Sequence, residues 1–212
     1  MAALAEGTIY SRLAPMNERL ITPSKSELRR KLRLQRKQMT REQHSDLDRK
    51  INRALLTHVQ ALKISSVAAF WPFDGEPDLR PALKAMAALD ITLALPVLKK
   101  DAGFGMSMHR WRPHSSMREN RFHIPEPVNE PILDLADIEV LVIPLVAWDS
   151  RGHRLGMGSG FYDRMLACLR GGNSPLRVGA AYSAQQVDEV PVDAWDVPLH
   201  AVVHEHGWIS FG

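Results

Sequence analysis

Residues 140–148 read VLVIPLVAW, a run of nine apolar residues that opens at once into the glycine-rich stretch DSRGHRLGMGSGFYDR. A transmembrane helix needs about 20 such residues. A strand buried on both faces needs only this many, and it must be covered by helices on both sides of its sheet. Shorter apolar runs at 66–71, 91–95, 106–111, 178–182 and 201–203 repeat the strand signature, the first of them running into Pro72 and Gly75. Helical spacing lies around and between them. Ser24 with Glu27 and Thr40 with Gln43 are capping-box patterns. Leu28 and Leu32 give the first helix an apolar stripe. Leu47, Ile51, Leu55, Val59 and Leu62 give one to the second, and a further helix is expected over 79–89. The first two helices are expected to pack on each other. The alternation predicts an α/β fold: a single three-layer domain with a mostly parallel sheet covered by helices and ligands at the carboxyl ends of its strands. Residues 1–22 show no sustained periodicity and are expected to be a loose N-terminal extension to a domain spanning 23–212.

With 212 residues, 45% hydrophobic and 24% charged, the chain is long enough for a continuous core and is not disordered by composition. The single cysteine, Cys168, excludes an internal disulfide and is expected to be a buried thiol among Met165, Leu166, Ala167 and Leu169. No apolar stretch is long enough to span a membrane and the N-terminus lacks a signal-peptide pattern, so a cytoplasmic location without membrane contact is expected. His200, His204 and His206 alternate as residues on one strand face would, but they do not complete a zinc ligand set. The net charge of +3 favours anionic partners. The basic residues between Lys25 and Arg53 are interrupted by Glu27, Glu42, Asp46 and Asp48 and carry no RNA-binding signature, so nucleic acid is not expected as a partner.

Chemistry concentrates in residues 149–164. Gly156, Gly158 and Gly160 allow close backbone approach and exposed amides, as a phosphate cradle requires. Arg154 supplies a cation for phosphate oxygens, taken to be flexible and exposed, and Asp163 a carboxylate for Mg²⁺ where a helix begins. The competing readings are a structural turn for the glycines and a helix-start carboxylate for Asp163. The stretch lacks the Lys-Ser/Thr of a Walker loop and does not sit in a first βαβ unit, which points to a different kind of ATP site.

Together with RLGMGSGFYDR, the residues Lys25 and Arg29, the segments 70–76 and 124–127, and Gln185 and Asp196 make the chain strongly resemble the 5-formyltetrahydrofolate cyclo-ligase family over residues 24 to 206. The resemblance implies an enzyme that converts 5-formyltetrahydrofolate, polyglutamylated or not, to 5,10-methenyltetrahydrofolate with ATP and Mg²⁺; a monomer is expected, though the sequence does not decide the oligomeric state. It implies Lys25, Arg29, Arg154, Gly156, Met157, Gly158, Ser159, Gly160, Phe161 and Tyr162 at the nucleotide, with Lys25 and Arg154 catalytic. It further implies Trp71, Glu76, Met157, Ser159 and Phe161 at the folate, and Asp163 and Asp196 at the metal. The other reading is a paralogue that keeps the nucleotide site and takes another formamide, or that binds folate without turnover.

Overall fold

The computed structural model describes residues 23–99, 105–169 and 174–212, so the expected extension over 1–22 lies outside the described residues. In chain order the elements are α1 (Lys25–Lys37), α2 (Arg41–Ala61), β1 (Ser66–Ala68), α3 (Arg80–Ala87), β2 (Thr92–Leu98) and β3 (Met106–Trp111). Four short strands follow: β4 (Met117–Glu119), β5 (Pro125–Pro127), β6 (Ile132–Leu133) and then the central β7 (Val140–Pro144) after a 3₁₀ turn. The chain ends with β8 (Ala147–Trp148), β9 (Arg154–Leu155), α4 (Phe161–Ala167), β10 (Leu176–Ala180), β11 (Ala201–His204) and β12 (Gly207–Ser210).

Eight strands form the main sheet in the order β12-β11-β10-β7-β1-β2-β3-β6. The five from β11 to β2 are parallel, and β12, β3 and β6 join antiparallel at the margins. The mixed character follows from connection length. Residues 79–89 can form a crossover helix between parallel β1 and β2, whereas the chain after β2 turns straight back into β3. Alternate residues of the strands feed two cores. Val67, Leu93, Val140, Val142, Val178 and Val203 face Ile51, Leu55 and Val59 of α2 and Leu83 and Met86 of α3. Ala68, Ala94, Leu141, Ile143 and Val202 face Leu166 of α4, Leu199 and Trp148. The three layers are therefore uneven, with the long α2 and the short α3 on one face and the short α4 plus loops on the other.

Both capping boxes form. The Glu27 N–H donates to Ser24 Oγ (3.3 Å) and the Ser24 N–H to the Glu27 carboxylate (2.8 Å), and Thr40 and Gln43 repeat the exchange. Three expectations need correction. The apolar stripe of α1 does not pack on that of α2: Leu28 and Leu32 bury against Val146, Ala147, Leu155 and Val190, while α2 packs on the sheet and α3. The run at 140–148 is two strands rather than one. It leaves the main sheet at Pro144, and Ala147 and Trp148 pair instead with Leu155 and Arg154 in a hairpin. Cys168 is exposed, because it lies just past the end of α4 with its thiol turned to the Arg164 carbonyl, 3.4 Å away.

Candidate active site

The sheet changes winding direction between β1 and β7. From β1 the chain crosses to β2 on one side, and from β7 it crosses to β10 on the other. Connections that part in this way leave a crevice at the carboxyl ends of the two strands. The segments 69–76 and 145–160 leave from these ends.

Both segments are tied down by side chains from distant parts of the chain, among which Gln185 was already marked by the resemblance and Arg33, Arg36 and Lys37 were not. Asp74 accepts from Arg33 (2.7 Å), Arg36 (3.4 Å) and Lys37 (2.8 Å), all on α1. Burial works to raise the Asp74 pKa, but the bonds from Arg33 and Lys37 overcome it and hold it at about 2. Arg36 is buried and also donates to the Asp74 and Leu145 carbonyls, at 3.0 and 3.3 Å. Gln185, also buried, donates to the carbonyls of Leu145 and Val146 at 3.0 and 2.9 Å and so fixes the break that follows β7.

A cavity of about 780 Å³ opens between α1, the glycine-rich loop, α4 and residues 193–198. Lys25, Arg29, Arg154, Arg164 and Arg177 line it, against the carboxylates Asp163, Asp193 and Asp196, which leaves cations in excess. Lys25, the first residue of α1, donates to Asp193 and Asp196, each at 2.7 Å. Burial acts to lower its pKa, but these two carboxylates raise it on balance and keep it charged. Arg29 Nε donates to the Gly156 carbonyl at 2.8 Å, which seats the loop on α1. Gly158 (φ +105°) and Gly160 (φ +61°) occupy backbone conformations that a side chain would strain, and Gly160 is the residue from which α4 starts.

Arg154 is not the flexible exposed cation expected from the sequence. It is buried at 8% exposure, with its guanidinium bonded to the Val197 carbonyl and, at 2.6 Å, to Asp163. The reason is its place in β9, where pairing with β8 draws it into the fold. Asp163 stands in the first turn of α4 but caps none of its amides, accepting instead from Arg154 and from the Val197 N–H at 3.3 Å. The helix-start reading therefore rests on the helix dipole, which favours a carboxylate in the first turn, and not on a cap hydrogen bond. Asp196 accepts from Lys25 and from the Asp193 N–H at 2.8 Å. Among the described residues no cluster of three or more His, Cys, Asp or Glu side chains is placed to hold a metal alone.

A second cavity, about 310 Å³, lies on the other side of the loop and is lined mainly by Trp71, Phe73, Pro96, Phe122, Phe161 and Tyr162, with Glu76, Asn120 and Glu126 as polar groups. Phe122 meets Phe161 edge-on at 6.4 Å, and Trp71 stands edge-on to Trp111 at 6.3 Å with the Arg80 guanidinium 5.6 Å from its own ring. Met157, Ser159, Phe161 and Tyr162 face this cavity rather than the larger one; the resemblance gave the first three to both ligands and Tyr162 to the nucleotide alone. Asn120 and Phe122 were missed in the sequence. They lie between β4 and β5, and only pairing with 124–127 brings them to the site. Arg154, Gly156, Gly160 and Asp163 line both cavities and form the wall between them.

Glu76 accepts from the Phe73 N–H at 3.1 Å. Burial pushes its pKa up to about 7, only partly offset by Arg36. Burial also raises the Tyr162 phenol, helped by the nearby Glu76. The sign for stability follows. An acid with a raised folded-state pKa favours folding most below its unfolded value, near 4.5, and loses that contribution as the pH rises toward 7. Without ligand, Glu76→Gln should therefore be no more stable than the parent at pH 4.5 and more stable at pH 8, on the order of 2 kcal/mol. Paired thermal melts across that range check this, and a constant difference between the two proteins would refute it.

A cationic cavity that shares a wall with an aromatic one, at the switch point of an α/β sheet, suits an enzyme that holds two ligands side by side, one of them a polyanion. The model of the 5-formyltetrahydrofolate cyclo-ligase family matches residues 21–205, and the chain belongs to that family. It is 35% identical to the 5-formyltetrahydrofolate cyclo-ligase of Escherichia coli K12 over 174 residues, 81% of this chain and 95% of that one. It is 32% identical to the Haemophilus influenzae cyclo-ligase over 86% of this chain and 98% of that one. The solved structure of Aquifex aeolicus 5,10-methenyltetrahydrofolate synthetase superposes with a TM-score of 0.73 at 33% identity, covering 88% of this chain and 92% of that one.

Proposed function

We propose that the enzyme uses ATP to convert 5-formyltetrahydrofolate to 5,10-methenyltetrahydrofolate, releasing ADP and phosphate, with residues 23–212 forming the cyclo-ligase domain. The observation that carries this reading is the shared wall. A larger cationic cavity and a smaller aromatic one meet at Arg154, Gly156, Gly160 and Asp163, where a phosphoryl group could pass from one ligand to the other. A formamide carbon is a poor electrophile and its oxygen a poor leaving group. Attack of the formyl oxygen on the γ-phosphorus expels ADP and turns that oxygen into a phosphate ester. N10 then attacks the activated carbon and gives up its proton, the C–O bond to phosphate breaks, and the ring is closed. The protein's task is chiefly alignment and neutralisation of charge.

Lys25, Arg29 and the backbone from Gly156 to Gly160 hold the triphosphate, and Arg154 stands at the shared wall to meet charge that develops on the transferring group. Trp71, Phe161 and Met157 offer apolar faces to the pterin, Ser159 a hydroxyl, and Glu76 a carboxylate for its ring N–H groups. Mg²⁺ bound at ATP would neutralise phosphate charge. Asp163 and Asp196 fit such an ion, because Mg²⁺ in nucleotide sites is held by one or two carboxylates together with phosphate oxygens and water. Both carboxylates carry basic partners, Arg154 and Lys25, which phosphate oxygens can engage in their place. The protein acts as a monomer in the cytoplasm, on folate with or without a polyglutamate tail, and binds no nucleic acid. No helix among the described residues is long and apolar enough to cross a membrane, in keeping with that location.

The test is direct. Purified protein with 5-formyltetrahydrofolate, ATP and Mg²⁺ should develop methenylfolate absorbance and release one phosphate per product. Folded protein that binds ATP and folate yet forms no methenylfolate would sink the activity and leave a folate-binding paralogue.

A further inference from the structure

Arg29 and Arg177 line the larger cavity and have no carboxylate partner among the described residues, and the second of them has no part in the site so far. Arg29 is bonded to the Gly156 carbonyl. Arg177, on β10, is half-buried, and among the described residues its side chain is bonded to neutral groups: the Pro198 carbonyl (2.7 Å), Ser174 Oγ (3.0 Å) and His200 Nε2 (2.8 Å). Lys25 and Arg154, by contrast, each hold carboxylates in the same cavity.

Arg177 is also placed next to the cation at the shared wall. Arg154 donates to the carbonyl of Val197 and Arg177 to that of Pro198, so consecutive carbonyls of one segment anchor the two guanidiniums. Burial and the field of Arg154 both act against the charge on Arg177, as expected of a site with unbalanced positive potential. A guanidinium cannot relieve that by losing its proton. It is relieved by an anion, and planar paired guanidiniums suit the oxygens of a phosphate chain.

Taking the larger cavity as the nucleotide site, we propose that Arg177 is a further phosphate-binding residue, which works with Arg154 to hold the polyphosphate of the nucleotide. Its three neutral partners fix the side chain while leaving its charge for the ligand. The base and ribose then occupy other parts of the cavity, where Leu166, Ala167 and Leu169 supply apolar surface.

Calorimetric titration of the full chain with ATP and with inorganic tripolyphosphate, and competition by adenosine, separates the possibilities for Arg177→Gln and Arg177→Lys. The Gln variant should bind ATP and tripolyphosphate about tenfold or more weakly with adenosine unchanged, as for loss of a charge-assisted hydrogen bond. The Lys variant should recover part of that loss. In turnover, KM for ATP should rise more than kcat falls. Unchanged tripolyphosphate affinity with a lower Tm would make Arg177 a brace between residues 174 and 200 and overturn the proposal. Weaker adenosine binding with tripolyphosphate unaffected would move it to the nucleoside and overturn it equally. If the parent itself binds neither ATP nor tripolyphosphate, the nucleotide reading of the cavity fails first, a result distinct from any change between variants.

Discussion

Arg154→Ala should lose turnover and folding stability together. The guanidinium stands at the wall between the two cavities, where the transferring phosphoryl group would lie, and removal of one such preorganised donor costs about 10²–10³ in kcat. The same side chain is buried, with Asp163 and the Val197 carbonyl as its partners. Truncating it strands Asp163, whose side chain is 24% exposed, and such a break in a largely buried ion pair costs about 2 to 3 kcal/mol. Thermal melting and single-turnover rates on the folded protein separate the two effects. Arg154→Lys should restore more stability than rate, because an ammonium keeps the charge but not the fork that reaches Val197 and Asp163 at once. Parental turnover per folded molecule in Arg154→Ala, at saturating ATP, would remove Arg154 from the chemistry and leave it a structural residue.

Asp196→Asn and Asp163→Asn should each slow turnover about tenfold or more and weaken the apparent affinity for Mg²⁺, since the amide keeps the shape but removes the charge a hard cation needs. The two differ in what they do to the protein without nucleotide. Asp196 shares Lys25 with Asp193, so its loss leaves the lysine a second carboxylate and the Tm should hold. Asp163 is the carboxylate partner of Arg154, so Asp163→Asn should also lower the Tm. Mg²⁺ titrations of the rate, beside melts without ATP, give both quantities. An unchanged Mg²⁺ response in Asp196→Asn would mean that this carboxylate only orients Lys25. The same result in Asp163→Asn would leave Asp163 as the counterion of Arg154 alone, with the metal held by phosphate and water.

Local chemistry was legible in the sequence wherever neighbours along the chain decide it. Both capping boxes, the helices α1 to α3, the strands β2, β3, β10 and β11 and the glycine-rich loop all follow from spacings of a few residues. The resemblance also brought Lys25, Arg29, Arg154, Glu76 and Asp196 to attention although they span much of the chain, and the structure gathers them around two adjoining cavities. Tertiary structure alone decided how they are held. The apolar run at 140–148 carries no mark of its break at Pro144, because the break is fixed by Gln185 and Arg36 from distant segments, which take the Leu145 and Val146 carbonyls. Nothing near Arg154 in the sequence says that it is buried, since Asp163 and Val197 reach it only after α4 and the 193–198 segment close over β9. Arg177 and Asn120 went unseen for the same reason: an ordinary arginine and an ordinary loop asparagine acquire meaning only from the cavity they face. Periodicity and caps are short-range and survive in the bare sequence, whereas burial, charge balance and the shape of a cavity are sums over segments that only the folded chain brings together.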